Sequence, residues 1–185
     1  PGHSFSHMFS TILSKLFGRK FRVKRDHDRV WKTETLKVNG IVSHATWLDR
    51  HATRVLLVTH FRDTYRALES LFHSRAIPYA PVISAADATK LLDPVSFQPG
   101  RVALVHADLL PTHRIRETAE RREFGFEINL IVAEHHPLPA EDDRIMEFAR
   151  SLPCKVRLCY HESLDAALLK RFGGELVSKL VSLLH

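Results

Sequence analysis

The chain has 185 residues, 44% of them hydrophobic, and 27 Lys and Arg against 21 Asp and Glu give a net charge of +6. That is enough apolar material for one core, not two, and no apolar run approaches the ~20 residues of a bilayer-spanning helix. The two cysteines, Cys154 and Cys159, are too few for a disulfide framework and match no structural zinc spacing; both are expected as reduced, partly buried thiols in a cytoplasmic protein.

Residues 1–7 (PGHSFSH) read as an expression-tag remnant ahead of Met8. Residues 8–32 read as a basic amphipathic arm. Phe9, Ile12, Leu13, Leu16 and Phe17 follow the spacing of one apolar helical stripe, Gly18 is a stop signal, and Arg19, Lys20, Arg22, Lys24 and Arg25 come directly after. Eight Lys and Arg stand against Asp26 and Asp28 in this arm, so it holds the whole excess of +6 and the remainder is balanced. Such an arm can lie on an anionic membrane surface, contact nucleic-acid phosphates, or pack its stripe on the domain with its charges in water.

Beyond the arm, an apolar run without polar alternation marks a buried strand over residues 55–59, and further strands fall over 79–83, 102–106, 128–133 and 156–160. Helical spacing falls between them. A helix over 31–51 would turn Trp31, Leu36, Ile41, Val42, Ala45 and Leu48 inward. One over 62–75 would show Tyr65, Leu68, Leu71 and Phe72. Ser84 caps a helix over 85–92, residues 94–100 are a loop, and 111–124 is a charged, exposed helix. A helix over 140–152 stops before Pro153, and two more over 163–172 and 175–184 are separated by Gly173-Gly174, with Ser163 as an N-cap. The alternation predicts an α/β domain over 33–162 with a mostly parallel, five-stranded sheet flanked by helices, and a helical hairpin over 163–185.

In a parallel sheet the strands end on one edge, where ligands bind. The residues that this brings to the rim are His60, His106, Asp108, Glu134, His135, His136, His161 and Glu162. Imidazole beside carboxylate suits acid–base work or a transition metal. Polar residues also belong at wet strand ends, and thirteen histidines produce chance clusters, so no catalytic residue and no metal ligand is assigned.

Five segments carry a resemblance to a family, one broadly and four more narrowly. RVLLVTHFRDTYRALESLFHSRAIPY (54–79) sets out a strand–helix–strand order similar to the second RecA-like domain of superfamily 2 helicases and translocases. More narrowly, MFSTILSKLFGRK (8–20), VWKTETLKVNGIV (30–42), INLIVAEHH (128–136) and LDAALLKRFGGELVSKLVSLL (164–184) resemble, in order, segments of the SecA preprotein translocase motors. The resemblance implies a RecA-like domain and a partner at a membrane or translocation channel. The departures bear on chemistry. No G-x-x-x-x-G-K-[ST] loop is present, no metal-holding acidic strand, and only Arg144 and Arg150 stand near the place of the arginine finger. The expectation is therefore a degenerate, non-hydrolysing SecA-like interaction protein without cofactor. It would be cytoplasmic and peripheral to a membrane, with self-association through the C-terminal helices. An α/β enzyme using the His/Asp/Glu rim and a helicase-derived nucleic-acid binder are the alternatives; the balanced charge of the body weighs against the latter.

Overall fold

Residues Arg54–Thr59 supply five consecutive buried side chains, and successive ones point to opposite faces of a strand. A sheet built on such a strand needs cover on both faces. In the computed structural model, which describes residues 23–51, 54–90, 102–111, 127–152 and 154–166, it has that cover. Val55 and Leu57 pack with Ile41, Ala45, Leu68 and Phe72, while Leu56 and Val58 pack with Ile145 and Phe148. The two-residue period of one strand thus divides the apolar interior into two cores.

The elements in chain order are β1 (Val23–Arg25), β2 (Arg29–Trp31), α1 (Glu34–Arg50), β3 (Arg54–Thr59), α2 (Arg62–Ser74), β4 (Tyr79–Val82), α3 (Ala85–Lys90), β5 (Val102–His106), β6 (Glu127–Val132), α4 (Pro139–Ser151) and β7 (Lys155–Ser163). A 3₁₀ turn, Ala107–Leu109, follows β5. The strand order is β1-β7-β6-β3-β5-β4 with β2 also on β7, and every pairing is parallel. This is the α/β class with a mostly parallel sheet flanked by helices.

Two details differ from the sequence reading. The sheet has seven strands, because Val23–Arg25 and Arg29–Trp31, assigned above to the arm, pair in succession along β7 as one interrupted edge strand. Trp31 therefore does not begin a helix; α1 starts at Glu34, where the Thr33 hydroxyl accepts the Leu36 N–H at 3.2 Å. Leu36 is exposed rather than inward, whereas Lys37 and Val38 are buried. The second difference is at the other end. β7 runs on through His161, Glu162 and Ser163, so Ser163 is a strand residue whose hydroxyl donates to Glu34 Oε2 at 2.6 Å, not a helix cap. The remaining expectations, over 1–22, 91–100, 112–126 and 167–185, fall outside the described residues.

Candidate functional site

Helix α2 leaves β3 on one face of the sheet and α4 leaves β6 on the other, so the C-terminal ends of β3 and β6 mark the place where sheets of this kind have their ligand crevice. Five of the eight rim residues meet there, joined by two further acids, Asp142 and Asp28. Glu134, 3% exposed, lies across the start of α2 and its Oε1 accepts the backbone N–H of His60 at 2.7 Å and of Phe61 at 3.2 Å. The Phe61 N–H is the N-cap donor of α2 and the His60 N–H belongs to the turn that leads into it, so the carboxylate sits where a strand-to-helix turn can hold an anion. The buried ammonium of Lys37 stands 3.6 Å from the other oxygen and 2.8 Å from Glu34. Burial pushes the Glu134 carboxyl up, against the pull of Lys37 and the two N–H groups.

Asp142, in the first turn of α4, binds the other side of the crevice together. Its Oδ1 meets His60 Nε2 at 3.0 Å and accepts the His136 N–H at 3.2 Å, while Oδ2 meets His135 Nδ1 at 2.7 Å. Burial alone would raise Asp142, but the hydrogen bonds from His135, His60 and His136 overcome it and hold the carboxyl well below its usual range. The bond to Asp142 in turn raises His135, whose Nε2 reaches Asp28 in the β1–β2 link at 3.3 Å. The His135 ring stacks on Tyr160 at 4.2 Å between centroids, and His136 stacks on Phe61. Glu162 accepts the N–H groups of His135 at 3.1 Å and Ser163 at 3.0 Å. Three carboxylates thus take up backbone donors at the strand ends.

His106 and Asp108 form a pair of their own on the turn after β5, at 3.4 Å. His161 is not on the rim at all. It is fully buried within β7, facing α1, because β2 prolongs the pairing past Tyr160. The Trp31 indole N–H donates to His161 Nδ1 at 3.0 Å, and His161 Nε2 lies 3.2 Å from His44 Nδ1. With Cys159 these two imidazoles make up a group of potential metal ligands whose donor atoms all lie within 4.8 Å of one another. The donor chemistry argues against an ion. An indole N–H can only donate, so His161 must carry its proton on Nε2, where it faces His44 rather than a metal. Burial first, then the positive charge of Arg29, lowers His44 to about 4; burial and its cationic surroundings lower His161 to about 3, so the pair is neutral at ordinary pH. Both cysteines are buried and neither is in a disulfide.

Sequence reasoning missed Asp142, Asp28, Lys37, Trp31 and His44. Asp142 was visible only as one of several acids opening a helix, and Asp28 and Trp31 were read with the arm and the helix. Lys24 and Arg25, read as surface-binding residues of the arm, stand on β1. Arg25 lies over the Tyr160 ring at 5.1 Å and bonds Asp28, and Lys24 is exposed beside Asp26. Phe9, Ile12, Leu13, Leu16, Phe17, Arg19, Lys20 and Arg22 lie outside the described residues.

No family model and no curated protein sequence matches the chain. Among solved structures it is similar to the C-terminal part of the Fun30 ATPase domain, with 10% identity and a TM-score of 0.49, over 73% of this chain and 43% of that one. The chain thus spans less than half the length of that structure. Among the described residues no helix is long and apolar enough to cross a membrane.

Proposed function

We propose that this chain is a non-hydrolysing, SecA-like interaction domain. A RecA-like frame holds a basic amphipathic arm that engages a membrane surface, a translocation channel or a partner protein at the cytoplasmic side. The observation that carries the non-hydrolysing part is the Glu134 carboxylate on the His60 and Phe61 N–H groups. In a nucleotide-binding α/β domain such donors receive a phosphate; here a side chain of the same chain holds the position, and its charge repels another anion. Asp142 and Glu162 occupy the neighbouring donors in the same way. The acid–base enzyme reading is weaker for His135, both of whose ring nitrogens are taken by carboxylates, Asp142 and Asp28.

The binding part rests on the arm, which joins the sheet at Val23. The test is co-sedimentation with anionic vesicles of the full chain and of a variant lacking residues 8–22. The deletion stops there because Val23–Trp31 belongs to the sheet and its loss would damage the fold. The full chain should sediment with the vesicles in a salt-sensitive way and the variant should stay in solution with an unchanged far-ultraviolet spectrum. Equal sedimentation of both, or binding indifferent to salt, would overturn the reading.

A further inference from the structure

A second cavity lies away from the strand-end rim, between α1 and the β1–β2 link and above β6 and β7. Its volume is about 110 Å³, and its walls include Asp26, Arg29, His44, Asn129, Arg157 and Cys159. By the same measure one water needs only ~10–15 Å³, so this space holds a small polyatomic ligand.

The polar groups on its walls are unmatched in one direction. Asn129 is 6% exposed, and its side-chain Nδ2 has no hydrogen-bond partner. Arg157 Nε is also buried without a hydrogen bond; it forms ion pairs with Asp26 and Glu127 at 3.6 and 3.8 Å, too long for its N–H to be satisfied by either. The Arg29 side chain bonds Cys159, whose sulfur is a weak acceptor. His44 spends Nδ1 accepting from His161, which leaves its Nε2–H as one more donor. The two buried donors without a partner, Asn129 Nδ2 and Arg157 Nε, cost free energy that a ligand rich in acceptors recovers, while the exposed Arg29 stands at the mouth. Guanidinium groups make that ligand an oxyanion.

Asp26 sets a further condition. A bare oxyanion would face this carboxylate and be repelled, whereas one carrying its own O–H can donate to it. We infer that the cavity is a binding site for a protonated tetrahedral oxyanion, hydrogen phosphate or the head of a phosphate monoester, held by Arg29, Arg157 and Asn129 and selected against sulfate by Asp26.

The experiment is calorimetric titration of the full chain at fixed ionic strength with inorganic phosphate, sulfate and glycerol 3-phosphate, each to millimolar concentration. Phosphate should bind at least about tenfold tighter than sulfate, the worth of one charged hydrogen bond made or refused. Glycerol phosphate binding as well as phosphate assigns the site to monoesters; inorganic phosphate binding alone assigns it to the free ion, and either supports the site. Asn129→Ala should lose about tenfold or more in phosphate affinity while its melting temperature stays level or rises, because the substitution deletes an unsatisfied donor. Asp26→Asn should bring sulfate up to the level of phosphate, since the amide donates where the carboxylate could only accept. No phosphate binding, equal binding of phosphate and sulfate by the unmodified chain, or full affinity in the Asn129→Ala variant would overturn the inference.

Discussion

Gly40 sits in the middle of α1, where replacing glycine by alanine ordinarily stabilises a helix by about 0.5–1 kcal/mol. Here the opposite is expected. A Cβ at Gly40 would overlap three ring carbons of Trp31, and even the most distant of them, Cε2, would be 2.7 Å away. Carbon atoms rest at about 3.5–4.0 Å, so the indole would have to move by about an ångström. Its N–H is committed to His161 Nδ1 at 3.0 Å, and that bond, worth about 1 kcal/mol, would be stretched or lost. Adding about 1–3 kcal/mol for overpacking and subtracting the helix gain leaves Gly40→Ala less stable by about 1–3 kcal/mol. For a chain of this size that lowers the melting temperature by about 5 °C. The control is the same substitution in a Trp31→Ala background, where the space is empty and the usual helix gain should reappear. A stabilising Gly40→Ala in the unmodified chain, or an equal loss in both backgrounds, would refute the packing argument.

Three further outcomes follow from the same geometry. Ala76 closes α2 with φ at 53°, and the Ile77 N–H reaches back to Phe72 O at 3.0 Å; Ala76→Gly should raise stability by about 0.5–1 kcal/mol in urea denaturation, and a loss would contradict the left-handed cap. His44 and His161, held at about 4 and about 3 below their ordinary 6.5, take up protons in the unfolded chain first. Stability should therefore be full above pH 6.5 and fall as pH drops towards 4, by at most about 1.4 kcal/mol per pH unit for each proton; His161→Gln, which can still accept from Trp31 and donate to His44, should flatten that slope, and an unchanged slope would place the effect elsewhere. Trp31→Phe frees His161 to move its proton to Nδ1, so this variant and not the unmodified chain should show a cobalt–thiolate absorption band on adding Co(II); a band in both would show that the indole does not fix the tautomer.

The fold was legible because β3, β5 and β6 are so uniformly apolar that no other arrangement would cover both of their faces. What escaped was local. Val23–Trp31 is polar and charged, with no run long enough to read as a strand, and it is held as one by the free edge of β7 rather than by its own composition. Glu162 and His161 looked like strand-end residues because the apolar run stops at Tyr160; β2 extends the ladder three residues further and turns His161 beneath α1. The structure brings His60, His135 and His136 together through Asp142, a residue of the next helix that the strand pattern does not point to. A sequence pattern gives position along a strand but not which helix turn folds over its end.

The account's central claim is that the crevice between β3 and β6 is closed to nucleotide by Glu134, and the most direct measurement is titration of ATP with Mg²⁺ into the full chain, read by calorimetry and by phosphate release. Neither binding nor turnover is expected of the chain or of an Asp142→Asn variant. Saturable binding or Mg²⁺-dependent hydrolysis that survives stringent purification, and that disappears on altering Glu134 or Asp142, would contradict it.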